Sequence, residues 1–367
     1  MIERVEEMRE VCEAVKEAGS VALDTEFVWE RTYFPQLGIV QLALPDQRVF
    51  LVDAVALPKL DGLGDILADP EIELLLHDAL QDLQILARHT GHTPRHVFDT
   101  RLAAGFGGRP ATLSLGNLLR DVLDIDLPKE ATRTNWLQRP LTDSQISYAE
   151  DDVLHLHALA QQLKSDAATL GNDSFMEEEM LRFEDPTQYE NTTGDSRYLR
   201  MRTDRLPMPM RKALFALLRW REKTAIEHNR PRGHIVQDAK LRELASDLTA
   251  TPPRKTDIPK RHAAAIHEAL RTASNDMTAD DLPATTGHIR ISSTVKKQIE
   301  ARRKLMQERA EQAKLDPALI ANKAEVTALV LYENGLTKEY PKHLTQGWRQ
   351  TFTKPDSPIA KTAELDL

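Results

Sequence analysis

Apolar positions in the first fifty residues change period twice. In "MIERVEEMREVCEAVKEAG", Val5, Met8, Cys12 and Val15 recur at three- and four-residue steps, which predicts a short amphipathic helix over 1–18. Three apolar runs follow at 20–27, 37–44 and 48–53, separated by "TYFPQLG" and "PDQ". They read as separate strands, because Pro35 and Pro45 interrupt any continuous element. Next, "PKLDGLGDILAD" reads as helix and "EIELLL" as strand, and "HDALQDLQILARHTG" reads as a helix ended by Gly91. Asp78 and Gln81 have the spacing of a capping box for that helix. Further helices are expected at 99–106, 114–121 and 142–165. Three strands followed by alternating helix and strand describe an α/β domain, 1–167, with a mixed sheet flanked by helices.

From 168 to 205 the pattern loosens into a short helix and then polar, turn-rich chain, expected as a linker. Two all-helical blocks follow, 206–284 and 285–350, each pairing a long helix with a shorter one, and then a tail at 351–367. The total of 367 residues fits more than one core.

Composition narrows the class. With 41% hydrophobic and 29% charged residues the chain reads as globular, and its formal net charge of −9 argues against a uniformly basic nucleic-acid binder. The single cysteine, Cys12, excludes an intrachain disulfide and suits a reducing compartment. The charged N-terminus is unlike a signal peptide, and no apolar run reaches the ~20 residues of a membrane span. The expected location is cytoplasmic.

Candidate chemistry starts in "SVALDTEFV". Asp24 and Glu26 point to one face of an apolar strand. Two carboxylates in a desolvated setting cannot both stay ionised without positive charge between them. A strand end reaching water is one reading; a divalent-metal site is the other. In "HDALQDLQIL", Asp82 interrupts an apolar stripe near the first turn of its helix, where a carboxylate also suits the helix dipole. In "SYAEDDVL", Tyr148 and Asp152 lie one turn apart on one helix face, as a structural contact or as part of the same site.

D-x-E on an early strand, an Asp on a middle helix and Y-x-x-x-D on a late helix together resemble the DEDD superfamily of 3′–5′ exonucleases, in the subgroup with a tyrosine in the last motif. "ALDTEF", "RTYFPQLGIVQLA", "FDTRLAAGF", "DLPKEATRTNW" and "RPLTDSQISYAEDDVLHL" are similar to the ribonuclease D family within it. The resemblance runs through most of residues 20–165. "LRWREKTAIEHNRPRGHIVQDAKLRELA" resembles an HRDC domain, a helical nucleic-acid-binding module, and "VKKQIEARRKLMQERAEQAKLDPALIANKAEVTALV" with "GWR" resembles a second one. The implied fold is a ribonuclease H-like α/β exonuclease domain followed by two all-α HRDC-like domains.

That resemblance implies a 3′–5′ exoribonuclease. Asp24, Glu26, Asp82 and Asp152 would hold two divalent ions, Mg2+ or Mn2+, and Tyr148 would orient or deprotonate the attacking water. The substrate would be RNA with a single-stranded 3′ end, tRNA precursors among them, released as nucleoside 5′-monophosphates. Thr25, His77, Lys129 and Arg133 are the substrate-contact candidates. For His77 a backbone-satisfied structural role stands beside that reading, and for Lys129 and Arg133 a solvated loop does. Trp136 reads as packing. From 197 to 234, eleven Lys and Arg face three Asp and Glu, a local excess that suits phosphate or internal ion pairs. A DNA exonuclease and a non-catalytic RNA-binding adaptor are the competing functions.

Overall fold

The computed structural model describes residues 1–354 except 58, 129–133, 192, 202, 204, 284–290 and 339. Lys129 and Arg133 therefore lie outside the described residues. Two compact units emerge: residues 1–28, 37–189 and 291 onward form the first, and residues 29–36 with 190–290 form the second.

The first unit opens with α1 (Val5–Ala18), which buries Met8, Val11, Cys12 and Val15. Then come β1 (Ser20–Val28), β2 (Gln36–Ala43), β3 (Val49–Asp53), α2 (Leu63–Ala68), β4 (Glu73–Leu76) and α3 (Leu80–Thr90). After these come β5 (Val97–Asp99), α4 (Thr100–Phe106), α5 (Leu115–Leu123), α6 (Asp143–Leu154), α7 (Leu156–Leu170) and α8 (Asp173–Met180). The sheet order is β3-β2-β1-β4-β5, with β2 and β3 antiparallel and β1, β4 and β5 parallel. This is the expected mixed sheet flanked by helices. β1 lies at its centre and carries the acidic pair.

Several local expectations change. Asp78 does not cap α3. It sits at φ +61°, a left-handed turn that carries its carboxylate to Arg101. Asp99 takes over, accepting from the N–H groups of Asp78 (3.3 Å) and Ala79 (2.9 Å) while also capping α4. The helix expected over 142–165 is two helices, broken at His155. Within 168–205, α8 and the 3-10 turns Leu181–Glu184 and Pro186–Tyr189 are ordered structure, and Met176, Met180 and Phe183 join the core of the first unit.

The second unit holds α9 (Asp195–Arg200), α10 (Met208–Glu227), α11 (Arg232–Ile235), α12 (Asp238–Leu248) and α13 (Ala263–Asn275). α10 packs on α12 and α13 around Tyr198, Leu214, Phe215, Leu218, Leu241 and Ile266. Many of its arginines are paired: Arg197 and Arg221 with Asp238, Arg219 with Asp195, and Arg232 with Glu222.

The remaining helices, α14 (Ser293–Gln312), α15 (Pro317–Ile320), α16 (Lys323–Glu333) and α17 (Gln350–Thr353), return to the first unit. Met306, Leu315, Leu319, Ile320, Trp348 and Phe352 share its apolar core. The block 285–350 thus carries α14, α15 and α16 joined by irregular chain, and it buries its apolar face within the sheet-bearing unit. No helix among the described residues is long and apolar enough to cross a membrane.

Candidate active site

β1 supplies two acids on one face and Thr25 on the other, as strand alternation requires. Val21, Ala22 and Leu23 are fully buried, which fixes the register of the strand and the direction of its acids. α6 brings the third acid. It starts at a capping box between Thr142 and Gln145 and packs on β1 and β3. Small, fully buried Ala149 lets it lie close over Ile39 and Leu51. One carboxylate oxygen each from Asp24, Glu26 and Asp152 lie within 4.8 Å of one another. Asp82, in the first turn of α3, accepts a hydrogen bond from Thr25 Oγ1 and acts electrostatically on Asp24.

Each acid has a neutral donor. Gln41 Nε2 donates to Asp24 Oδ2 at 3.3 Å, and Thr25 donates to Asp82. The Trp136 side chain lowers the pKa of the Glu26 carboxyl and the Tyr148 side chain lowers that of Asp152, each partly offsetting burial. The Trp136 and Tyr148 rings lie 6.1 Å apart between centroids. The charges that raise these acids are other carboxylates.

The electrostatics follow. Burial, then the charges of Asp82, Asp152 and Glu26, pushes the Asp24 carboxyl well above its usual range. Burial with Asp152 and Asp82 raises Glu26 to about 8. Asp152 rises to about 7 and Asp82 to about 6, burial leading in both, partly offset by the hydroxyls of Tyr148 and Thr25 respectively. Tyr148 is also raised, by burial and then by Asp152, Glu26 and Asp24, so it stays a protonated phenol. An all-oxygen donor set with uncompensated negative charge fits a hard divalent cation.

Thr25 and His77 have partners of their own. Thr25 is buried with its hydroxyl on Asp82. His77 Nδ1 meets Thr100 Oγ1 at 3.0 Å and Nε2 meets Leu113 O at 3.2 Å. Burial lowers its pKa to about 4, keeping it neutral. Gln41 was missed from sequence, although it is a polar residue inside the apolar run "GIVQLAL", the same irregularity that marked Asp24 and Glu26. Trp136 packs as expected, but its effect on Glu26 carried no signal in the sequence.

Comparisons with known proteins agree with this arrangement. Residues 1–168 match a family model described as a 3′–5′ exonuclease. A ribonuclease D of Desulfotalea psychrophila is 36% identical over 96% of this chain and 96% of its own length. One from Zymomonas mobilis is 38% identical over 67% of this chain and 62% of that protein. The crystal structure of Escherichia coli RNase D superposes with a TM-score of 0.83 at 26% identity, covering 96% of this chain and 95% of that one. Full-length similarity, the exonuclease domain and the shared fold lead to one conclusion: this chain belongs to the ribonuclease D family.

Proposed function

We propose that Asp24, Glu26, Asp82 and Asp152 hold two divalent cations, Mg2+ or Mn2+, for hydrolysis of RNA from its 3′ end, releasing nucleoside 5′-monophosphates. As a ribonuclease D the chain is a 3′–5′ exoribonuclease. The observation that carries the metal reading is the approach of Asp24, Glu26 and Asp152 oxygens to within 4.8 Å, with carboxylates as the charges acting on them. The chemistry such ions supply when bound is activation of water and charge stabilisation at the leaving 3′-oxygen.

The chain's own residues do the rest. Asp24, Glu26 and Asp152 would hold the ion that activates water, Asp24 would also serve a second ion, and Asp82, its oxygen oriented by Thr25, would act there mainly through bound waters. Tyr148 positions the attacking water through its hydroxyl; its raised pKa makes it an orienting group and not the base.

The Escherichia coli relative is described as an exoribonuclease involved in structured RNA processing. The same substrate class is proposed here, with tRNA precursors bearing 3′ trailers as its members and a cytoplasmic location. Arg205 and Arg230 of the second unit are exposed and have no ion pair among the described residues; they are assigned to RNA phosphates.

The test incubates the purified protein with matched 5′-labelled RNA and DNA strands and a precursor tRNA, in Mg2+, Mn2+ or chelator. A metal-dependent descending ladder on RNA, a trimmed tRNA trailer and 5′-monophosphate products are expected. A ladder on DNA alone, or RNA binding with no ladder, overturns the proposal.

A further inference from the structure

The four acids are held by neutral side chains, and one of these has no structural reason to be polar. Gln41 lies on β2, in register with Leu51 of β3. By strand alternation it shares a face with Ile39, whose side chain packs among Leu51, Trp136 and Ala149. Gln41 is fully buried. In this apolar setting a methionine or leucine would fill the same space without any polar group to satisfy. Instead the amide is retained half-satisfied. Nε2 donates to Asp24 Oδ2 at 3.3 Å, and Oε1 has no hydrogen-bond partner. With Asp24 ionised, the orientation that points Nε2 at Oδ2 is the one that avoids setting the amide carbonyl oxygen against a carboxylate oxygen.

We propose that Gln41 is a positioning residue for Asp24: its amide fixes the direction of the carboxylate without neutralising it, leaving the charge free for a divalent cation. A lysine or arginine at this position would hold Asp24 equally well but would discharge it, taking the place of the ion. An apolar residue would leave the carboxylate to rotate among its acidic neighbours. A neutral donor does neither. The inference rests on the metal reading above and assigns to it a residue outside the acidic motif. Residues that orient ligands from behind change metal affinity by about 10- to 100-fold when lost.

The test compares metal-free wild type with Gln41→Met, titrating each with Mn2+ and following the rise in Tm and the heat of binding, alongside kinetics on 5′-labelled RNA. The Mn2+ midpoint is expected to rise by about 10-fold in the variant. Its kcat should fall with KM for RNA unchanged, and its metal-free Tm should hold or increase. An unchanged midpoint with kcat near that of wild type overturns the assignment, as does a lower metal-free Tm without a shifted midpoint, which marks a structural role only. Should Gln41→Met not fold, Gln41→Asn carries the same expectations, since it keeps an amide in the pocket but withdraws it by one methylene. Absence of any Mn2+ effect in the wild type itself removes the metal reading first and this inference with it, so the two failures are distinct.

Discussion

Arg349 grips Glu179 through two parallel bonds, Nη1 to Oε2 at 2.6 Å and Nη2 to Oε1 at 2.9 Å. Trp348 Nε1 adds a third at 3.0 Å and Arg182 a fourth at 2.9 Å. Glu179 ends α8 and Arg349 precedes α17, so the pair latches the C-terminal helices to the sheet-bearing unit. Removing Arg349 leaves the buried carboxylate to the more exposed Arg182 and the Trp348 N–H, at a cost approaching the ~3–5 kcal/mol of a broken buried pair. Arg349→Met is expected to lose stability on that scale in urea unfolding, and Glu179→Leu with Arg349→Met is expected to recover most of it. A single variant within ~0.5 kcal/mol of wild type would show that the latch is dispensable.

That latch also marks where sequence reading ends. The strands at 20–27, 37–44 and 48–53 were legible because alternation and flanking prolines are local signals, and the structure has them within a residue or two. β5, three buried residues long, is too short for any period to register. In 168–205 a short helix was legible but its packing was not, because Met176 and Met180 of α8 find their apolar partners in distant segments of the chain. At the site, the acids and Tyr148 stood out as polar breaks in apolar elements. The approach of Trp136 to Glu26 depends on folding across more than a hundred residues.

The acid cluster predicts how stability depends on pH. Folded Glu26 titrates at about 8, Asp152 at about 7 and Asp82 at about 6, with Asp24 also raised. In the unfolded chain all four titrate near ~4. Between about pH 4 and 8 the folded state binds more protons than the unfolded one, so metal-free stability falls as pH rises through that window. Cations substitute for those protons. The Tm of metal-free protein is expected to decline across this range, and the Tm rise on adding Mn2+ is expected to grow across it. A metal-free Tm that is level throughout contradicts the assignment.

Removing one charge from the cluster separates function from stability. Asp24→Asn relieves repulsion in the metal-free state, so its Tm at about pH 8 is expected to exceed that of wild type. The same variant is expected to lose both the Mn2+-induced Tm rise and activity. Tyr148→Phe should behave differently, with kcat down by about 100-fold and most of the Mn2+-induced Tm rise kept. Equal loss of metal response in both variants would remove the distinction between ligand and orienting group.

Arg205 and Arg230 give the test of phosphate binding in the second unit. Each is exposed, whereas Arg197, Arg219, Arg221 and Arg232 are spent on Asp195, Asp238 and Glu222. Arg205→Ala and Arg230→Ala are expected to weaken RNA binding across sequences and to lower the slope of log affinity against log salt by about one each. Folding and single-nucleotide chemistry should be unaffected. An unchanged slope in the double variant would move the RNA-binding surface elsewhere.

Gly38 and Trp136 connect the sheet to the metal-facing acids. A Cβ added at Gly38 would stand 2.5 Å from the Trp136 carbonyl oxygen, inside any permitted contact. Arg139 clamps the same junction, donating to Gly38 O and Trp136 O at 2.9 Å each while holding Asp53 through two bonds. Gly38→Ala must therefore displace the Trp136 backbone and with it the indole that acts on Glu26 and packs beside Tyr148. The expected cost is about 1–3 kcal/mol from overpacking, together with a Mn2+ midpoint raised by about 10-fold. Trp136→Phe separates the two effects, because it keeps most of the ring contact and loses the N–H. It is expected to shift the midpoint in the same direction with a smaller loss of stability. If Gly38→Ala lowers stability while leaving Mn2+ binding and kcat untouched, the Trp136 indole has no part in holding Glu26 for an ion and is packing alone.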